Sequence, residues 1–121
     1  MRSKNATAPL DHIFYALSDP TRRAIVSSLV KGGANVSDLV RNSELSFPTV
    51  SKHLKVLERA NLIRRKVDPE DARAFVFEPN TRTLRQATQW LERQRQYWDD
   101  RLDELEDFLA DQATPRKVRR P

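Results

Sequence analysis

The sequence predicts a mainly α-helical fold with a small β-hairpin, arranged as a winged helix-turn-helix with a long C-terminal dimerisation helix. Three observations lead to this prediction. Apolar residues recur at helical spacing in four segments before residue 61. Two short β-prone runs then flank a turn-rich stretch, and a single helical pattern follows for roughly 28 residues. This order of elements is that of a winged helix-turn-helix domain.

The first two helices are predicted from an apolar stripe and a capping pair. The stripe ends near Ser18 and consists of Leu10, Ile13, Phe14 and Leu17. Asp19 caps a second helix, with Pro20 at its first position, where the missing N–H costs nothing. This helix runs to Lys31, and Gly32-Gly33 is expected to end it in a left-handed conformation.

The next two helices are predicted from their N-terminal caps. Asn35, with Asp38 three residues later, forms a variant of the capping box and opens a very short helix. Ser46 caps a fourth helix with Pro48 at its second position, and Asn61 tolerates the left-handed conformation that ends it. The inner stripe of this fourth helix is Val50, Leu54 and Leu57.

A hairpin and the longest element complete the fold. Residues 62–67 and 73–78 are β-prone and flank the turn-rich stretch 68–72. After Pro79, residues 81–111 are predicted to form the dimerisation helix. The chain therefore divides into a flexible arm (1–9), a winged helix-turn-helix domain (10–111) and a basic disordered tail (112–121).

Charge is unevenly distributed along the chain. The 121 residues carry a net charge of +5, which indicates an anionic partner. Between Ser46 and Lys66 there are six basic residues and one acid, whereas between Leu84 and Asp111 there are four basic and eight acidic residues. The first stretch is therefore suited to phosphate and the second is not.

Composition excludes several classes of protein. There is no cysteine, and two histidines and two glycines argue against metal sites, catalytic triads and glycine-rich phosphate loops. No apolar run suits a membrane helix or a secretory signal. We expect a cytoplasmic protein without a cofactor, without a metal and without enzymatic activity.

The fourth helix fits the major groove of DNA, because short side chains at its tip can reach base edges while the cations behind them meet phosphates. Thr49, Ser51 and Lys52 are expected to specify sequence. Lys55 and Arg59 are expected to position the protein, and the hairpin is expected to act as a wing that reaches the minor groove with Arg73 or Arg65. The predicted DNA-binding residues are Ser46, Pro48, Thr49, Ser51, Lys52, His53, Lys55, Arg59, Arg65 and Arg73.

Two runs carry a family resemblance. Residues 17–25 (LSDPTRRAI) and 48–60 (PTVSKHLKVLERA), followed by Leu62-Ile63, resemble the ArsR/SmtB family of bacterial winged-helix transcriptional regulators, over about residues 10–110. The resemblance implies a homodimer that represses a promoter at an inverted repeat, with the first and last helices at the interface. It also implies a protein that is associated with the bacterial nucleoid when bound to DNA. The predicted dimerisation residues are Leu10, Ile13, Phe14, Leu17, Leu84, Leu91, Trp98, Leu102, Leu105 and Leu109.

The chain departs from the metal-sensing members of that family. Those sensors place Cys-x-Cys in the short third helix, where this chain has residues 36–39 (VSDL), or bind zinc through Asp and His on the last helix, where this chain has no histidine. The acidic wing turn, residues 68–73, resembles instead the wing of MarR-type regulators, in which an acid holds an arginine for the minor groove.

Other readings of the same residues stay open. The scaffold could be a protein-interaction module, or a regulator with a non-thiolate metal or small-molecule effector. Trp90, Tyr97 and Trp98 could line an effector pocket, although their helical spacing favours an interface. His53 is either packed or directed at a phosphate, and the acids from Asp99 to Asp107 form a solvated face that repels DNA.

Overall fold

The computed structural model describes residues 9–113, and the predicted fold class is confirmed. The elements are α1 (Leu10–Leu17), α2 (Pro20–Lys31), α3 (Val36–Ser43), α4 (Phe47–Arg59), β1 (Ile63–Asp68), β2 (Asp71–Pro79) and α5 (Thr81–Ala113). The described residues divide into two compact units, 9–87 and 88–113, and the second consists of the later part of α5.

The last helix is two residues longer than predicted. Gln112 and Ala113 were expected in the tail but are helical, because neither residue breaks a helix and the first proline after them is Pro115. The rest of the predicted tail, and the predicted arm apart from Pro9, lie outside the described residues.

The predicted caps form at the starts of three helices. The Asp19 carboxylate accepts a hydrogen bond from the backbone N–H of Arg22 (3.0 Å). Asn35 and Asp38 make both bonds of a capping box, at 2.8 and 3.3 Å. Ser46 Oγ accepts from the backbone N–H of Thr49 (3.2 Å) and so fixes the start of α4.

The glycine pair does not end α2 as the sequence predicts. Gly32 has an extended backbone (φ 168°), and the left-handed residues among those described are Glu44 and Asn61, each with φ 62°. Only the expectation for Asn61 is therefore confirmed. The physical reason is that the chain must leave α2 in an extended form to pair with β2, since Ala34 and Phe77 exchange backbone hydrogen bonds of 3.2 and 2.8 Å. A Cβ at Gly33 would lie 3.3 Å from the Phe77 carbonyl oxygen, which explains a glycine there.

The hairpin is tighter than predicted. β1 and β2 pair antiparallel and leave only Pro69 and Glu70 between the strands, where the sequence suggested five turn residues. Carboxylates of Asp68 and Asp71 accept from backbone N–H groups two residues ahead, at 2.9 and 3.0 Å. These local bonds stabilise the turn and allow strand pairing to continue almost to its tip.

The core of the first unit fixes α4 against α1 and α2. Fourteen buried apolar residues form it: Ile13, Ala16, Ile25, Val26, Leu29, Leu39, Val50, Leu54, Leu57, Ala60, Leu62, Ile63, Phe77 and Ala87. The assignment of Ile13 to the dimer surface is therefore wrong, because this residue is 0% exposed within a single chain. The other predicted dimer residues in this unit, Leu10, Phe14, Leu17 and Leu84, are half-buried and pack against the same core. Among the described helices, none has the length and apolarity to cross a bilayer.

The two glycines should respond differently to alanine. Gly33→Ala is expected to lower the free energy of unfolding by about 1 kcal/mol, because the new methyl group crowds the Phe77 carbonyl oxygen. Gly32→Ala meets no atom within 4 Å in an extended backbone, so stability should be unchanged or rise by up to about 1 kcal/mol. Urea unfolding of both variants checks this, and equal effects at the two positions would contradict the close-approach explanation.

Candidate nucleic-acid interface

The outer face of α4 presents unpaired cations. Since Val50, Leu54 and Leu57 point into the core, the opposite face is left to solvent, and Pro48, Lys52, Lys55 and Arg59 are all exposed there. Among the described residues, none forms an ion pair with Lys52, Lys55 or Arg59. The helix therefore offers three positive charges to an anion.

The first turn of α4 is occupied partly by its own cap. The hydroxyl oxygens of Ser46 and Thr49 lie 2.8 Å apart, within hydrogen-bonding distance. Ser46 is exposed, whereas Thr49 and Ser51 are half-buried on the flanks of the helix. A contact between the Thr49 hydroxyl and another group must therefore compete with the hydrogen bond between this hydroxyl and Ser46 Oγ.

A buried arginine on α2 orients His53 of α4. Arg22 is only 8% exposed, and its Nε donates to the carbonyl oxygen of Ala16 (2.7 Å) and its Nη2 to that of Tyr15 (3.1 Å). Its Nη1 lies 3.2 Å from His53 Nδ1. Because a guanidinium only donates, Nδ1 must accept, and the ring proton is then on Nε2. The half-buried His53 thus has a packing role, and Nε2–H remains available as a donor.

Two further groups complete this cluster. The guanidinium of Arg22 lies over the Tyr15 ring, 5.1 Å from its centroid. The hydrogen bond from the backbone N–H of Arg22 lowers the pKa of the Asp19 carboxyl, and the positive charge of the Arg22 guanidinium lowers it further. Sequence analysis missed Arg22 as a site residue. Its spacing from Ile25, Val26 and Leu29 was the available signal, because it places Arg22 on the buried face of α2.

The wing is held to α4 by Arg65. Its guanidinium makes two hydrogen bonds to the Glu58 carboxylate, at 2.7 and 3.2 Å. It also lies over the rings of Phe75 and Phe77, at 4.5 and 5.5 Å from their centroids. The Glu58 hydrogen bond raises the pKa of Arg65, so the side chain stays charged. The structure therefore gives an intramolecular partner to Arg65, one of the two arginines that the sequence analysis offered for the minor groove.

The tip of the wing carries a highly exposed cation. The Arg73 side chain is 93% exposed, and its Nε lies 3.5 Å from Asp71 Oδ1. This is the arrangement that the resemblance to MarR-type wings implies. On β1, Arg64 pairs with Glu78 across the strands at 2.9 Å, whereas Lys66 is exposed without an ion pair among the described residues. Sequence analysis did not single out Lys66.

The second unit exposes an apolar stripe on α5. Five of the predicted dimerisation residues are 50–61% exposed and share one helical face: Leu91, Trp98, Leu102, Leu105 and Leu109. Tyr97 and Phe108 are exposed beside this stripe, and sequence analysis missed Phe108. Charged side chains elsewhere on this helix pair with each other, as Arg95 does with Glu92 and Asp99 at 2.5 and 2.6 Å. In residues 9–113, no three potential metal ligands lie close enough together to hold an ion.

Comparison with known proteins agrees with this geometry. Residues 19–65 match the family model of the bacterial regulatory proteins of the arsR family. The chain is 30% identical over 82 residues to the transcriptional repressor SdpR of Bacillus subtilis. The aligned residues cover 68% of this chain and 88% of SdpR.

Two solved structures extend the likeness. An ArsR-like transcriptional regulator from Rhodococcus sp. RHA1 superposes with a TM-score of 0.74 at 25% identity, over 84% of this chain and 91% of that one. A second ArsR family transcriptional regulator has a TM-score of 0.65 at 32% identity, over 74% of this chain and 96% of its own.

Neighbouring arginines of α2 should differ in their contribution to stability. Arg22→Met leaves the buried carbonyl of Ala16 without its donor, whereas the carbonyl of Tyr15 keeps its hydrogen bonds from Ser18, so the free energy of unfolding should fall by about 1–3 kcal/mol. The matched control is Arg23→Met, which removes one exposed bond to the Leu17 carbonyl and should cost less than about 1 kcal/mol. Urea unfolding followed by circular dichroism compares them. Similar losses in both variants would show that Arg22 does not stabilise the domain through these contacts.

Proposed function

Because the chain belongs to the arsR family of bacterial regulatory proteins, we propose that this transcriptional regulator is a repressor that binds an inverted-repeat operator as a homodimer. Its relatives are named as transcriptional regulators, and the chain is not an enzyme. The single observation that supports DNA as the partner most strongly is the row of exposed, unpaired cations on the outer face of α4.

On this proposal, the cations of α4 have two different roles in DNA recognition. Lys52 lies one turn from the N-terminus of the helix, together with Thr49 and Ser51, and reads base edges in the major groove. Lys55 and Arg59 follow along the helix and contact phosphates, which bear no sequence information. His53 donates its Nε2–H to a phosphate oxygen, since its other ring nitrogen is occupied by Arg22.

The wing contributes one cation to the DNA. Arg73 enters the adjacent minor groove, because it is the exposed arginine at the tip and Asp71 restrains it. Arg65 instead holds the wing at a fixed angle to α4 through Glu58. This division follows from the number of partners that each guanidinium already has.

A homodimer accounts for the apolar stripe of α5. Five large apolar side chains, each at least half exposed in one chain, need a partner surface, and the same face of a second copy is complementary to it. We also assign Leu10, Phe14 and Leu17 of the first unit to contacts with the second copy. A two-fold axis then places two α4 helices one turn of DNA apart, about 34 Å, which matches an inverted repeat.

A protein-interaction module is the second candidate. Phe47, at the first position of α4, is the observation that favours it, because this large apolar side chain is 55% exposed. A protein-binding face is depleted of charge at its centre, however. Lys52, Lys55 and Arg59 occupy that centre here, so DNA is the better partner.

Lysine variants test the DNA interface. Lys55→Ala should weaken binding to all sequences by a similar factor and reduce the slope of log K against log salt by about 1 per lysine. Lys52→Ala should relax the preference at one base pair and cost about 1–3 kcal/mol on the best site. Binding-site selection followed by fluorescence anisotropy at several salt concentrations measures both effects. Absence of duplex binding by the unaltered protein at low salt would refute the proposed function.

A charge in the apolar stripe tests the dimer. Trp98→Glu should convert the protein to a monomer and reduce operator affinity toward that of a single half-site, because a carboxylate cannot be buried in an apolar interface. Gln89→Glu is the matched control, since it introduces the same charge at an exposed polar position on the opposite side of α5. Sedimentation at tens of micromolar compares the three proteins. A dimeric Trp98→Glu variant would exclude this stripe as the interface.

A further inference from the structure

A cavity of about 210 Å³ lies between α1 and α4 in the first unit. The described residues that line it are His12 and Tyr15 of α1, Val56 and Arg59 of α4, and Ala60 directly after α4. It opens on the flank of α1 that bears His12 and Tyr15, which is separate from the flank that bears Leu10, Phe14 and Leu17. The proposed dimer contacts of α1 therefore leave it uncovered.

The floor and the rim of this cavity differ in chemistry. Val56 is half-buried and Ala60 is almost fully buried, so the floor is apolar. The rim carries an imidazole, a phenol and a guanidinium, from His12, Tyr15 and Arg59. In the part of the chain that the structure describes, none of these three side-chain groups makes a hydrogen bond or an ion pair with another side chain. The described lining contains no acid, so the rim favours an anion.

The size of the cavity limits the ligand. A volume of roughly 150 Å³ holds one benzene ring, whereas drug-sized ligands need about 300 Å³ or more. A cavity of about 210 Å³ thus accommodates a single ring with one small substituent. An apolar ring suits the Val56–Ala60 floor and the Tyr15 ring, and a carboxylate can accept two hydrogen bonds from a guanidinium.

We propose that this cavity binds a small aromatic carboxylate, with its ring on Val56 and Ala60 and its carboxylate on Arg59 and His12. The ligand would regulate DNA binding because Arg59 cannot serve both anions at once. A bound carboxylate withdraws this guanidinium from the DNA backbone, and a homodimer loses one phosphate contact in each half-site. This regulatory step rests on the proposed function, whereas ligand binding itself does not.

The first experiment measures ligand binding without DNA. Sodium benzoate is titrated into the ¹⁵N-labelled full chain, and benzamide serves as the neutral probe of the same shape. We expect saturable amide shifts confined to residues 12–16 and 56–60, with benzamide binding at least tenfold more weakly. His12→Glu places a carboxylate at the rim and should abolish these shifts. Ser27→Glu, at an exposed position of α2 outside the cavity, should leave them unchanged.

Each outcome of this titration either supports or refutes the proposed ligand site. Shifts that do not saturate, equal affinities for benzoate and benzamide, or an unaltered response in His12→Glu would overturn it. Circular dichroism of His12→Glu establishes that the variant is folded, and both substituted positions are exposed.

The second experiment tests regulation with operator DNA. Saturating benzoate should raise the Kd of the unaltered protein about tenfold, a coupling within the usual range for allosteric ligands. Arg59→Gln should bind DNA more weakly from the outset and no longer respond to benzoate. An unchanged Kd in the presence of bound benzoate would overturn the regulatory step. Failure to bind DNA without benzoate would instead refute the proposed function, and the titration would still decide the ligand site.

Discussion

The burial of the Arg22 guanidinium is the constraint on which the arrangement of α1, α2 and α4 depends. A charged group removed from water is strongly destabilising unless its donors are satisfied. Arg22 achieves this with carbonyl oxygens at the end of α1 and with His53 on α4. Rotation of α4 about its axis would break the contact between Arg22 and His53. The outward direction of the α4 cations is therefore set from inside the domain.

Arg65 has a similar structural role at the wing. Its bonds to Glu58 and its position over two phenylalanine rings join the hairpin to α4. The arginines that organise the protein are thus distinct from the cations offered to DNA, which are those with the fewest internal partners. Net charge alone would have counted all of them as equivalent.

Much of the fold could be predicted from sequence because its determinants are local. Asp19, Asn35 and Ser46 each cap a helix by accepting a hydrogen bond from the backbone N–H three residues later. The spacing of Val50, Leu54 and Leu57 fixes the inner face of α4. The errors arose where distant segments meet. The extended exit of α2 depends on Phe77, and the burial of Ile13 depends on which elements cover it. Periodicity gives the face of a helix but not the neighbour against which it packs.

The wing is a two-stranded sheet, and this has a consequence for solubility. A two-stranded sheet has two open edges, and such edges can recruit strands from other molecules. The backbone bonds between Ala34 and Phe77 close part of the β2 edge. The β1 edge carries Arg64, Arg65 and Lys66 in succession, so two wings that approach edge to edge bring like charges together. This basic run therefore opposes edge-to-edge aggregation of the protein with copies of itself.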